Sequence, residues 1–162
     1  MRAGPSPRHL VAGALTGVDR RAAAIAGLAA GAAFVAVLEA DLRLTGNNVD
    51  DLTFLGRPLV RDRERARRAG IAVHAVNSVA LALLYARLER RLTGPSWWRG
   101  VAFATVENAL LYPLTALEDL HPALRDGQLD RYWTWPAFLQ SIPRHVAYGA
   151  VLGPLYARLR RP

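Results

Sequence analysis

The chain has no cysteine, no lysine and a single methionine in its 162 residues. Missing cysteine excludes disulfides, thiolate metal sites and covalent haem attachment, and it leaves the redox compartment open. Every one of the 21 basic side chains is therefore arginine. The sequence also lacks a phosphate-cradling glycine loop, a His-Glu-x-x-His helix, and any serine or cysteine nucleophile with a partnered base. An enzyme accordingly ranks behind the other readings.

What the chain does have is apolar length. Residues of the aliphatic and aromatic set make up 52% of it, while mean hydropathy is only +0.09 because the 21% of charged residues lie mostly between the apolar blocks. Four blocks, at about 22–42, 69–88, 100–117 and 142–159, each run for roughly 18 to 20 residues, about one bilayer crossing at 1.5 Å per residue. The net charge of +8 raises the question of nucleic acid. Arginine at the block ends answers it, because side chains there meet lipid headgroups, and no nucleic-acid role is expected. The short apolar run in residues 1–21 is too brief for a secretory signal and is read as a surface segment.

The blocks repeat. His74 is followed eleven residues later by Tyr85-Ala86-Arg87-Leu88, and His145 by Tyr156-Ala157-Arg158-Leu159, an offset of 71. The preceding blocks echo one another from Gly31, Phe34 and Val37 to Gly100, Phe103 and Val106, an offset of 69. A period of this kind marks a duplicated unit. The expected fold is all-α: a membrane four-helix bundle built from two repeated hairpins, forming a single integral membrane domain over 1–162. Small residues at four-residue spacing, Gly27 with Gly31 and Gly149 with Gly153, predict close helix packing, and the second pair suits self-association into a homo-oligomer. Trp97, Trp98, Trp133 and Trp135 mark the two interfaces, and Tyr85 and Tyr156 read as headgroup anchors.

Between the blocks, 44–58 is rich in Gly, Asn, Asp and Pro and predicts a long loop lying back over the bundle mouth. Its Asn47-Asn48-Val49-Asp50-Asp51 run reads as a capped turn, without the spacing of a calcium loop. The 61–68 run pairs acid and base at helical distances, a solvated extension of the second span. Pro113 predicts a kink in the third.

Ionisable residues inside the spans carry the functional expectation, since charge in hydrocarbon costs about 2.5 to 3.5 kcal/mol on insertion scales. Glu39, His74, Glu107 and His145 fall at similar depth, one per helix, with Asn77 and Asn108 beside them. Three readings stay open. The cluster is structural glue in an accessory membrane protein; or the two acids and two imidazoles bind a metal ion; or they move protons or ions, or the histidines ligate haem.

Paired helices carrying His-x-x-Tyr-Gly-x-x-x-Gly-x-x-Tyr, here His145 to Tyr156, with an Asn-Asn-Val-Asp-Asp loop, resemble uncharacterised bacterial, actinobacterial-type inner-membrane proteins of four spans. The resemblance covers the chain from about residue 22 onward; span two departs from it, with Asn77-Ser78 where span four has Tyr148-Gly149. It implies a location, the bacterial cytoplasmic membrane, and no reaction, so it transfers no catalytic residues. Acids concentrate on the face opposite the termini, which favours both termini in the cytoplasm, with the lipid bilayer and a membrane partner protein or second copy as the expected partners.

Overall fold

The computed structural model describes residues 18–160. Residues 1–17, most of the leading surface segment, lie outside them. The described residues are helical, with no strand. Four long helices, α1 (Arg20–Thr45), α3 (Arg63–Leu88), α4 (Ser96–Leu111) and α6 (Trp135–Leu159), alternate with the short helices α2 (Asp51–Gly56) and α5 (Pro122–Arg125).

The helix ends follow local chemistry. Asp19, Asp50 and Asp62 cap α1, α2 and α3 by accepting backbone N–H groups freed at the first turn. Gly46, at φ 68°, closes α1 in the left-handed conformation that glycine adopts without steric cost. The charged run before span two is helical from Arg63, with Glu64 and Arg68 paired on its exposed face. At Pro113, which has no N–H to donate, α4 passes into a tighter 3-10 stretch, Tyr112–Leu120, whose helical backbone is interrupted at Leu117. Helix α6 starts at Trp135, earlier than expected, because Thr134 caps it and Pro136 sits in the first turn where no N–H is needed.

Three helical stretches, Arg20–Thr45, Arg63–Arg91 and Ser96–Leu120, are long and apolar enough to cross a membrane. Helix α6 has 25 residues but carries Gln140, Arg144 and His145. The packing is inverted relative to a water-soluble bundle. Ala22, Ala23, Ala26 and Ala30 fill much of the interior beside Phe34, Leu38 and Leu152, while Leu28, Ile71, Val76, Val106 and Leu110 point outward. In Ser96–Leu120 only 17% of the apolar window is buried. Large aliphatic groups outside and alanine inside suit a lipid surround, where close backbone approach replaces the hydrophobic drive.

Helix α1 packs on α3 and on α6, and α6 packs on α4. Small residues set the α1–α3 and α4–α6 contacts. Side chains added at Gly27 and Gly31 would strike Ser78 and Ala82, and ones added at Gly149 and Gly153 would strike Gly100 and Ser96. The Gly149 and Gly153 pair is therefore taken up inside the chain, and the face expected to join two copies is closed. Tyr85 and Tyr156 are also internal, 1% and 3% exposed with ring centroids 6.0 Å apart, and so they are core residues instead of headgroup anchors. The four tryptophans are exposed at or beside the helix ends.

Candidate functional site

Because α3 and α4 are not packed on one another as the other neighbours are, a seam runs between them. Tyr85 meets Phe103 across it at 5.5 Å and closes the end near the termini. Toward the other end the seam opens into a cavity of about 420 Å³, a volume in the range of small-molecule sites. Phe34 of α1 and Tyr148 and His145 of α6 line it, with His74, Asn77 and Leu81 on the α3 side and Glu107, Asn108 and Leu111 on the α4 side. Val49, Asp51, Phe54 and Leu55 cover its mouth, so the 44–58 segment does lie back over the bundle.

The cover is folded and tied down. Glycines again allow the approach: Gly56 and Gly70 bring α2 against α3 backbone to backbone. Asp50 caps α2 and accepts Arg67 Nε at 2.8 Å. Asn48 exchanges hydrogen bonds with Asp130 and reaches Gln128, joining the cover to the 118–134 connection. The Asn-Asn-Val-Asp-Asp run is thus a capped turn whose Asn48, Asp50 and Asp51 side chains are engaged by protein. Deepest in this layer lies Arg144, fully buried, donating to Asp51 at 2.8 Å, to the Val49 carbonyl at 3.1 Å and to Asp41.

The six polar residues expected to cluster do not all meet. His145 and Glu107 face each other, Nε2 to Oε2, at 3.5 Å, and Asn108 Nδ2 donates to Ser141 Oγ at 2.8 Å. His74 lies on the opposite wall, where Nε2 donates to the Gly31 carbonyl at 3.2 Å, and Asn77 lines the cavity beside it. Glu39 is elsewhere, paired with Arg67 under the cover. The reason is register. At the offset of 69, Glu39 corresponds to Asn108, whereas Glu107 corresponds to Leu38. One residue along a helix is about 100° of rotation, so Glu39 and Glu107 leave their helices in different directions.

This geometry corrects the four-residue metal expectation. Glu39, His74, Glu107 and His145 do not form one ligand shell, and among the described residues no three His, Asp or Glu side chains gather to hold a metal ion. The Phe34 ring packs against both histidines, 4.9 Å from His74 and 5.1 Å from His145 between centroids.

Chemically the sharpest feature is the Glu107 and His145 contact. The Ser141 carbonyl lies 2.8 Å from His145 Nδ1. A carbonyl only accepts, so Nδ1 carries a proton, and in the neutral ring Nε2 bears the lone pair. A lone pair facing a carboxylate oxygen would repel it, so a proton belongs at this contact, on Glu107 or on His145. The distance is long for a direct hydrogen bond.

Two residues that sequence reasoning passed over matter here. Arg144 sits inside an apolar block, which is itself a signal, but its place near the block's end made it read as an end arginine. Phe34 was visible only as part of the repeat. The site also breaks that repeat: Tyr148 is buried and donates to the Ser78 carbonyl at 2.7 Å, while its counterpart Asn77 stays open on the cavity wall. The smaller residue leaves room on one side only.

No curated protein and no solved structure matches the chain. Residues 18–162 match the family described as one of unknown function, DUF6789, and the chain belongs to that family.

Proposed function

We propose that the protein is a four-span integral membrane protein of the bacterial cytoplasmic membrane, a bundle of two repeated hairpins with both termini cytoplasmic. In this reading its intramembrane cleft binds a small lipophilic molecule drawn from the bilayer. The observation that carries this is the seam between α3 and α4, which widens into a 420 Å³ cavity holding the Glu107 and His145 pair on its wall. Apolar walls with a few placed polar groups are the usual makeup of a ligand site. The pair's proton supplies the donor that would orient a ligand, and it keeps proton exchange with that ligand within the reading. A purely accessory role by self-association draws less support, because Gly149 and Gly153 are occupied within the chain.

Photolabelling tests the proposal. In lipid nanodiscs, a diazirine-bearing decanol should label Asn77, Leu81 and Leu111 several-fold more than lipid-facing Ile25 or Val106, and Asn77→Trp should remove the excess by filling the cavity. Even labelling around the helices would overturn the reading.

A further inference from the structure

We propose that the cleft's ligand is a lipid-soluble quinone, a neutral planar ring bearing carbonyl oxygens with its tail passing through the seam into the bilayer. The inference rests on the cleft reading above and goes beyond it by assigning the headgroup.

Three features of the cavity select that headgroup. The first is shape. Rings form much of the wall: Phe34 with His74 and His145 at its flanks, and Tyr148, Phe54 and Tyr112. Such surfaces take a flat ring by offset or edge contacts, which an acyl chain does not exploit.

The second is charge. Among the described residues, Arg144 is the one arginine lining the cavity, and its charge is already balanced by Asp41 and Asp51, with Nη1 and Nη2 engaged by these carboxylates and the Val49 carbonyl and only Nε left without a partner. A fatty acid or phosphate headgroup would face Glu107 and Asp51 with no cation left for it, and an unpaired buried charge is costly. A neutral head avoids that cost.

The third is the position of the available proton. His145 Nδ1 is committed to Ser141, Tyr148 Oη to Ser78 and Tyr112 Oη to the Tyr132 and Thr134 carbonyls, so these three donors are spent on protein, while Tyr132 Oη and Arg144 Nε are buried in the layer around Arg144. The proton between Glu107 and His145, across 3.5 Å, is held by a contact too long to satisfy it fully. A carbonyl oxygen placed at this pair accepts it. Asn77, open on the facing wall, offers amide N–H groups to a carbonyl on the far side of the ring. Donors on opposite walls match a ring with oxygens on opposite edges.

Binding to the full-length protein in nanodiscs tests this, with three probes sharing one chain length: a decyl-substituted benzoquinone, decanol and decanoate. The quinone should bind saturably at one per chain and at least about tenfold more tightly than the other two. Glu107→Leu and His145→Phe should each weaken it about tenfold, the scale of one hydrogen bond to an ionisable group. In the infrared difference spectrum, the quinone carbonyl band should shift down on binding to wild type and lose that shift in Glu107→Leu. Unaltered decanol photolabelling of the variants would show that their clefts are intact.

Other outcomes separate the two readings. Equal saturable binding of decanol or decanoate, abolished by Asn77→Trp, would overturn the quinone assignment and leave the cleft standing. Selective quinone binding with neither variant affected and no carbonyl shift would overturn the role of the Glu107 and His145 proton. No saturable binding by any probe would overturn both.

Discussion

His145 holds its tautomer through the Ser141 carbonyl, and that one hydrogen bond decides what Glu107 meets. Arg144, the next residue, does a different job. Its three partners come from α1, the 46–50 turn and α2, so one guanidinium pins the cover to α6. Arg144→Met should leave Asp41 and Asp51 without their cation and cost about 3 kcal/mol, read as a lower unfolding midpoint in detergent and faster proteolysis between Gly46 and Arg57. An unchanged midpoint would mean the pairs contribute nothing. On the same cover His121 stacks on Phe54 with centroids 3.9 Å apart, and its Nδ1 accepts the Ala123 N–H at 3.3 Å. Burial, chiefly, holds its pKa below the ordinary value of 6.5. The unfolded chain then takes up a proton more readily than the folded one, so His121 favours folding above about pH 6.5 and loses that contribution as pH falls through its lowered range. Wild type should lose more stability than His121→Gln between pH 7.5 and pH 5; equal losses would remove His121 from the account.

At the scale of elements, backbone contact between small residues holds each long pair. Gly31 lies against Ser78 in the first hairpin and Gly100 against Gly149 in the second. Gly100→Leu should force α4 from α6 and separate Asn108 from Ser141, with overpacking costing about 1 to 3 kcal/mol or more; the check is thermal stability together with loss of quinone or decanol binding. A stable, fully binding Gly100→Leu protein would contradict the packing described. The glycine spacing was legible in the sequence, and its partner was not. A small-xxx-small face says that something approaches closely, and the same motif serves a neighbouring helix or a second copy. The extension at 61–68 and the break at Pro113 were legible because caps, ion pairs and a missing N–H act within a turn or two of the residue itself.

For the whole molecule, the absence of cysteine makes topology directly measurable. Single cysteines at Asp130 and at Arg158, which lie on either side of most of α6, should react with a membrane-impermeant maleimide from opposite sides of a sealed vesicle. Reaction from the same side would refute the four-span arrangement, in which α6, the helix carrying Arg144 and His145, crosses with the other three.

By itself the sequence determined that the chain is helical, that at least three of its helices can cross a membrane, and that two stretches of it share a pattern. Those properties depend on hydropathy and hydrogen bonding along one stretch of chain. The tertiary structure decided which polar groups meet. Glu39 went to Arg67 and Glu107 to His145 because one residue of register turns a side chain by about 100°, and Phe34 met both histidines because α1 packs on both α3 and α6. The cavity follows from the seam that α3 and α4 leave open. Rotation of each helix about its own axis, and the choice of its neighbours, are properties of pairs of helices, and no single stretch of sequence contains them.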